Sequence, residues 1–533
     1  MDTSTVYLCV LGGIFATLLL SRVQGIIGQT IGRLETLLNK HLIYPLVLSR
    51  WRGKGVCSRI ALARKMMYVA VNLFFLLFKH ITMVSIGQKA GILAVSNMVP
   101  LYLGTHHGAM ADYLGLSLST FRTLHVEMAL MAVSMAAIHT IIAFSKGPTF
   151  TWQKREHLHG VIAMLTLVCL FLFSVPVLRR KFYEVSLRWH QLLSITAIYA
   201  MLQHLSMPQT LPWYCVVASG GLIVGTSLVH LLSLLIRNRF FVRGIARATM
   251  TRIEDAVCVN ITTPFRCGSM EVNTSTSGCR ASSHPFVVAS ADTHEEGVEL
   301  KLVVQPRRGW TLHLFQRALE LDRRSRSYAV LFSGPHGLPV PVIDYGIVIL
   351  AASGSGMLAQ FPHLRRLIRG YDNFTSRTRR IRVVWQLEHL MDGALAKGYI
   401  NNALSDDALK DGYILEISIY HRKGTMDSKG LQQGNHERIA FCPGEVDWDE
   451  VVAHESQRKH PEHGPPTTRP WLYESAFQED QCRTLVTVSA CSEIRNKLRH
   501  SVCKHIDNNV TLHELDYQPD DSPPTVNDME EGG

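Results

Sequence analysis

Two pairs of histidines set inside otherwise apolar stretches, His125 with His139 and His190 with His204, constrain what this chain can become. The members of each pair are fourteen residues apart, which on an α-helix is about 21 Å of rise and close to four whole turns. Both imidazoles of a pair therefore share one helix face, about two-thirds of a bilayer core apart. Two such helices side by side present two facing imidazole couples, one towards each leaflet. Ionisable groups are expensive at that depth, so incidental polar packing is the weaker reading. Opposed imidazoles are what the two axial positions of six-coordinate haem iron need.

A chain of 533 residues is too long for one domain. Apolar residues crowd before residue 237, and charged, Pro- and Ser-rich stretches follow it. This reads as a membrane half followed by a soluble half. The net charge of +11 does not call for nucleic acid, because much of the basic excess flanks apolar runs. Eleven cysteines show no paired spacing, and Cys9, Cys169 and Cys215 lie in apolar runs, so no disulfide framework is expected.

Apolar runs suggest seven spans, near 5–21, 66–84, 90–105, 125–145, 160–178, 188–206 and 212–236. The first begins Met1-Asp2-Thr3 with no basic residue, which favours a retained anchor over a cleaved signal. Basic residues then orient the bundle. Arg22, Arg33, Lys40, Arg50, Arg52, Lys54, Arg59, Arg64 and Lys65 precede the second span. Arg179, Arg180, Lys181 and Arg188 follow the fifth, and Arg237, Arg239 and Arg243 follow the last. All face one side if the N-terminus is outside and the large C-terminal half is cytosolic; Lys154 and Arg155, with Glu156, are the contrary charges. His125 and His190 then share the inner leaflet, and His139 and His204 the outer. His80, His106, His107, His157 and His159 fall at expected helix or loop ends, where ordinary surface histidine is the reading.

Beyond the membrane half, Ala256–Ile261 and Val298–Val304 alternate as short strands of a small β-barrel. Between them lies His284-Pro285-Phe286-Val287-Val288-Ala289-Ser290, a strand entry with proline at its edge. Gly334-Pro335-His336-Gly337 makes a tight turn. A buried parallel-type strand, Tyr345–Ala352, then runs into Ser353-Gly354-Ser355-Gly356-Met357 and a helix. Strand, glycine-rich turn and helix N-terminus together form a phosphate cradle, although a plain turn between strand and helix fits the same residues. Further strands at 382–387, 413–419 and 484–488 suit a nucleotide-binding α/β domain. Arg377, Arg379 and Arg380 offer charge for a 2′-phosphate, or form a solvated basic loop. Polar stretches 422–438 and 454–468 read as mobile, and the acidic tail 517–533 as disordered.

In this order the features resemble the fungal ferric reductase (ferric-chelate reductase) transmembrane family, which is related to the NADPH oxidases. The resemblance runs from about residue 60 nearly to the C-terminus. It implies an N-terminal anchor and basic loop (1–65), a haem-binding transmembrane domain (66–240), an FAD-binding β-barrel (241–344), an NADPH-binding α/β domain (345–516) and the tail (517–533). It implies flavin contacts from His284, Pro285, Phe286 and Val287 to Ser290, with Gly309-Trp310-Thr311 as a second flavin-side strand and Gly334 to Gly337 as the following turn. Ser353 to Met357 would be the pyridine-nucleotide loop. His125, His139, His190 and His204 would be axial ligands of two b-type haems. Where the family has Cys-Gly-Pro after the last strand, this chain has Ser489-Ala490-Cys491, which puts the thiol near the nicotinamide in doubt.

The implied activity is a transmembrane NADPH-dependent metalloreductase. Its acceptors would be extracytoplasmic ferric chelates or siderophores, and cupric ion as a further candidate. Its setting would be the lipid of the plasma or vacuolar membrane, and it would serve a separate uptake system. A superoxide-producing NADPH oxidase is the alternative, although the 51 residues from His139 to His190 are short, as in reductases. A seven-span receptor or transporter with a soluble domain would leave four level histidines unexplained.

Overall fold

The computed structural model describes residues 36–48, 57–79, 81–145, 151–205, 208–238, 246–263, 277–279, 285–294, 297–306, 310–321, 327–334, 336–387, 390–407, 413–421, 437–457 and 483–519. The expected span 5–21, His80, His284, Gly309, Pro335 and the tail beyond residue 519 lie outside these. The chain divides into two compact units, Met1–Arg33 with Val47–Ile236, and Leu34–Leu46 with Arg237–Gly533.

The first unit is helical. Its long helices are α1 (Arg59–Leu77), α2 (Met83–Met98), α3 (Leu118–Ser145), α4 (Arg155–Ser174), α5 (Tyr183–His204) and α6 (Leu211–Arg237). Four of the described helices, α1, α3, α4 and α6, are long and apolar enough to cross a membrane. The expected second span, 66–84, is shifted. Ser58 caps α1 by accepting a hydrogen bond from the Ala61 amide, and the helix stops at Leu77. Lys79 there has φ of 64°, and Thr82 then caps α2 through the Ser85 amide. The expected third span continues past α2 as a 3-10 helix, Val99–His106, with proline in its first turn. Helix α2 packs on α3, and α4 on α5. Alanines make those contacts close, with Ala90, Ala132, Ala197 and Ala200 at most 1% exposed. A buried polar couple ties α1 to α2: the Asn97 amide donates to Asn72 Oδ1 at 2.7 Å.

The second unit carries, among its described residues, a small three-stranded sheet (residues 277–279, 285–286 and 332–333) and two larger ones. Strands β1 (Arg247–Ile253), β2 (Ala256–Thr263), β3 (Val288–His294), β4 (Gly297–Val304) and β5 (Tyr328–Ala329) form an antiparallel sheet in the order β3-β4-β2-β1-β5. Residues 310–321 form helix α7 (Trp310–Leu321) rather than the expected flavin-side strand. The reason is helical spacing: Trp310, Leu314, Phe315 and Ala318 fall on one face and pack into the two clusters beneath that sheet.

The other large sheet is parallel: β6 (Ile347–Ser353), β7 (Arg380–Leu387), β8 (Leu415–His421), β9 (Ile439–Pro443), β10 (Thr484–Ser489) and β11 (Val510–Glu514), ordered β9-β8-β7-β6-β10-β11. Helices α8 (Met357–Asp372), α9 (Leu390–Asp406), α10 (Trp448–Gln457) and α11 (Ser492–Lys504) alternate with these strands. Strand β6 is buried throughout, as a central strand covered on both faces must be. Residues 454–457, expected to be mobile, complete α10, where Glu455 is buried against Arg380 at 2.7 Å. The segment around Tyr44, expected to belong to a loop of the membrane half, packs in this unit. The Tyr44 hydroxyl accepts from the Leu512 amide at 2.9 Å, and Lys40 pairs with Asp507 at 2.6 Å.

Candidate functional site

The four sequence-selected histidines meet in pairs. His125 on α3 faces His190 on α5 with ring centres 6.4 Å apart, and His139 faces His204 on the same helices at 6.2 Å. A metal–imidazole bond of about 2.0–2.1 Å, plus about 1.1 Å from nitrogen to ring centre, spaces two opposed rings on one ion by about 6.2–6.4 Å. Both couples meet that spacing. Among the described residues no group of three or more His, Cys, Asp or Glu is arranged to hold a metal ion. A two-imidazole seat suits an ion whose equatorial donors come with it, as a porphyrin provides. The residues fit haem.

The seats were not foreseen from the sequence. His139 Nδ1 donates to the Gly87 carbonyl at 2.8 Å, and a Cβ on Gly91 would lie 2.9 Å from the same nitrogen. His204 Nδ1 donates to the Glu156 carbonyl at 2.8 Å, and a Cβ on Gly160 would lie 2.7 Å from it. One device therefore serves both His139 and His204. A helix carbonyl takes the Nδ1 proton, and a glycine one turn later opens the groove that lets the ring approach. Proton on Nδ1 leaves the Nε2 lone pair for a metal. In the other couple, Gly104 gives room to His125, with a notional Cβ at 2.6 Å from Nδ1, and His190 Nδ1 lies 3.3 Å from the Ser174 hydroxyl. The expectation of surface positions for His106 and His107 is corrected. His106 stacks on His230 with centres 3.9 Å apart, and His107 stands edge-on to His125 at 5.2 Å.

In the second unit the chain leaves β6, builds outward through β7, β8 and β9, then returns to the other flank of β6 as β10. The crossovers diverge there, which opens a crevice at the C-terminal ends of β6 and β10. The cradle residues occupy it. Gly354 has φ of +47°, and the indole of Trp385 donates to its carbonyl at 2.9 Å. Gly356 is required by close packing: a Cβ on it would meet the Ser489 carbonyl oxygen at 1.9 Å. Its missing side chain lets the turn pack on β10. Ser489-Ala490-Cys491 falls at the same edge. Cys491 is half-buried at the start of α11, its amide donating to the Ser353 hydroxyl at 2.8 Å. The expected tail crosses this edge too, for Ser355 Oγ lies 3.0 Å from Tyr517 Oη and the Gln518 side chain accepts from the Ala490 amide at 2.9 Å.

Arg377, Arg379 and Arg380 are at the other end of the sheet. Arg380 pairs in register with Ile347 at the start of β6, whereas Gln386 pairs with Ser353 beside the cradle. Six residues of strand, about 20 Å, separate them. Arg380 is also committed to Glu455 and Glu416. These arginines cannot serve a phosphate held at the cradle.

The 285–290 segment enters the antiparallel sheet with Val288 buried in that sheet's core and Val287 and Ala289 in the cluster shared with the parallel sheet and its helices, so their side chains are packing residues. Phe286 lies against Trp310 at 5.8 Å between ring centres. Ser290 accepts from Arg365 at 2.6 Å and donates to Asp292 at 3.0 Å, while Arg365 pairs with Asp292 at 2.6 Å. Burial pushes the Asp292 carboxyl up, but hydrogen bonding and charge from Arg365 outweigh it and hold the group below its ordinary value. This clasp joins β3 to α8, the helix that follows the cradle. Gly334 and Gly337, at φ of 109° and 124°, form the turn expected there.

Residues 90–201 match the family described as ferric reductase like transmembrane component. That span includes His125, His139 and His190. The chain is 22% identical over 448 residues to ferric reductase transmembrane component 3 of Saccharomyces cerevisiae, covering 79% of this chain and 59% of that protein. It is 23% identical over 333 residues to the probable cell surface ferric reductase kap2 of Aspergillus oryzae, covering 56% of this chain and 43% of that protein. It thus spans roughly half the length of these curated relatives. Among solved structures it is similar to the flavohemoglobin of Malassezia yamatoensis at a TM-score of 0.33 and 12% identity, covering 81% of this chain and 96% of that one; a likeness that remote carries no weight. The chain thus resembles the fungal ferric reductases, and residues 90–201 match the model of their transmembrane component.

Proposed function

We propose that the protein is a transmembrane metalloreductase that takes electrons from cytosolic NADPH and delivers them to extracytoplasmic ferric chelates, with cupric ion as a further acceptor. FAD and two b-type haems would be its resident groups, and iron uptake its use. The observation that carries this reading is the pair of opposed imidazole couples, each at haem-ligand spacing and both on helices α3 and α5.

When bound, FAD would supply the conversion between the two-electron chemistry of a hydride donor and the one-electron chemistry of haem and Fe(III). The chain's own residues perform the rest. His125 and His190 would hold the inner iron, and His139 and His204 the outer. The Gly87 and Glu156 carbonyls fix the outer tautomers and ring orientations. The N-terminal end of α8, with Ser355, would bind the nucleotide pyrophosphate. Cys491 stands at the neighbouring strand end, where the Ser353 contact holds its backbone. Ser290, fixed by Arg365, would present the flavin side of the unit.

The test uses the purified full chain. Two haems per chain in a dithionite-reduced spectrum, with NADPH-driven ferric reduction unaffected by superoxide dismutase, are expected. Absence of haem would defeat the reading, and ferric reduction abolished by the dismutase would make the protein a superoxide-producing oxidase.

A further inference from the structure

In the orientation set by the basic loops, the outer side should be poor in positive charge. The observed helix ends give it more than Lys154 and Arg155. With α1 ending at Leu77 and α2 starting at Met83, Lys79 and Lys89 lie on the same side as the start of α4. Among the described residues of these outer segments, four cations stand against one carboxylate, Glu156. Lys154 and Arg155 make no ion pair with any described residue. Lys79 holds the left-handed backbone conformation that favours glycine, so a long charged side chain is retained there at a conformational cost.

Two of these cations sit on the segments that seat the outer imidazoles, and the Lys89 ammonium reaches the Phe78 carbonyl beside Lys79. The Glu156 carbonyl that fixes His204 is the next residue after Arg155, and the Gly87 carbonyl that fixes His139 is two residues before Lys89. Each seat therefore has a cationic residue within two positions of its carbonyl along the chain. Beside low-dielectric helices such charges focus field and raise the local concentration of anions.

We propose that Lys154 and Arg155, reinforced by Lys79 and Lys89, form the docking patch for a polyanionic ferric chelate at the outer histidine couple. This rests on the function proposed above and adds the charge class of its substrate. The step is outer-sphere: one electron passes to Fe(III), giving Fe(II), and the chelate gains one negative charge with no bond made or broken in the protein. A neutral or cationic acceptor gains nothing from the patch.

The experiment uses the full chain in bilayers of zwitterionic lipid and two one-electron acceptors of opposite charge, ferricyanide and hexaammineruthenium(III), with ferric citrate as a third. In the Lys154→Gln/Arg155→Gln variant, kcat/KM for ferricyanide and ferric citrate should fall roughly tenfold at low ionic strength and converge with the parent at high salt. The ruthenium rate should hold or rise, and haem content and NADPH-driven haem reduction should not change. An unchanged ferricyanide-to-ruthenium ratio overturns the patch and leaves these cations as anchors for lipid phosphate. Failure of the parent protein to reduce any acceptor, or to bind haem, would instead refute the underlying function.

Discussion

Gly160→Ala tests the outer seat with a single methyl group. Its carbon would stand 2.7 Å from His204 Nδ1 and 2.8 Å from Cε1, where unstrained contacts are about 3.5–4.0 Å. The ring must therefore retreat by about 0.7–1 Å, several times the ~0.2 Å tolerance of a metal–ligand bond. The same shift stretches the 2.8 Å bond to the Glu156 carbonyl. The outer ligand should be lost. One haem should remain of two, still reduced by NADPH, and surface ferric reduction should fall by about two orders of magnitude or more. Gly221→Ala and Gly225→Ala are the controls, because a Cβ at either position meets nothing within 4 Å; both should keep two haems and normal turnover. Quantitative haem extraction and ferric-chelate reduction on one preparation give both readouts. A Gly160→Ala protein with two haems and parental turnover would refute the seat and weaken the ligand assignment of His204.

His190→Ala should remove the inner haem and stop electron entry while FAD remains bound, which haem content and flavin fluorescence would show; full haem and normal activity would sink the assignment. Gly356→Ala should destabilise the parallel-sheet half by about 3 kcal/mol or more, since the added Cβ would meet a backbone atom, the Ser489 carbonyl oxygen, at 1.9 Å. Ser355→Ala should instead fold normally and raise KM for NADPH; denaturation midpoints beside steady-state kinetics separate the two, and an unchanged KM would remove Ser355 from the cradle. His363 is buried, and that burial first, then the charges of His513 and Arg366, lower its pKa to about 3. An unfolded imidazole near 6.5 takes up a proton that the folded one refuses, so stability is full above about pH 6.5 and lost as pH falls toward 3. Between pH 6.5 and 5 the loss is about 2 kcal/mol, and His363→Gln should flatten that slope in thermal denaturation against pH.

What the sequence disclosed follows from periodicity. Fourteen residues on a helix is a statement about one face, so the level pairing of four histidines was readable. The run from β6 through Gly354 to α8 was readable because a buried parallel strand is continuously apolar and its turn needs glycine. The imidazole seats were hidden because they act between helices: nothing near His204 in the chain points to Gly160. Thr311 and its neighbours were assigned to a strand by resemblance, yet the Trp310, Leu314 and Ala318 spacing was helical all along. Of the two readings of Arg377 to Arg380, the 2′-phosphate one could have been set aside from sequence, since residues preceding a parallel strand sit at the end opposite to its ligand crevice. Tyr44 could not have been placed from sequence. Its partner, Leu512, lies 468 residues away.

Both histidine couples belong to the same two helices, so their separation is fixed by helix rise and does not adjust during turnover. Under the proposed wiring, each electron moving from the inner to the outer couple travels about 21 Å through a core of about 30 Å, and so crosses some two-thirds of the membrane voltage. With the cytosol negative, that voltage pushes electrons outward by about 1.6 kcal/mol for every 100 mV. Turnover then becomes an electrical current. It depolarises the membrane that drives it unless a cation follows, and its rate rises or falls with the resting potential even when nucleotide and iron are both in excess.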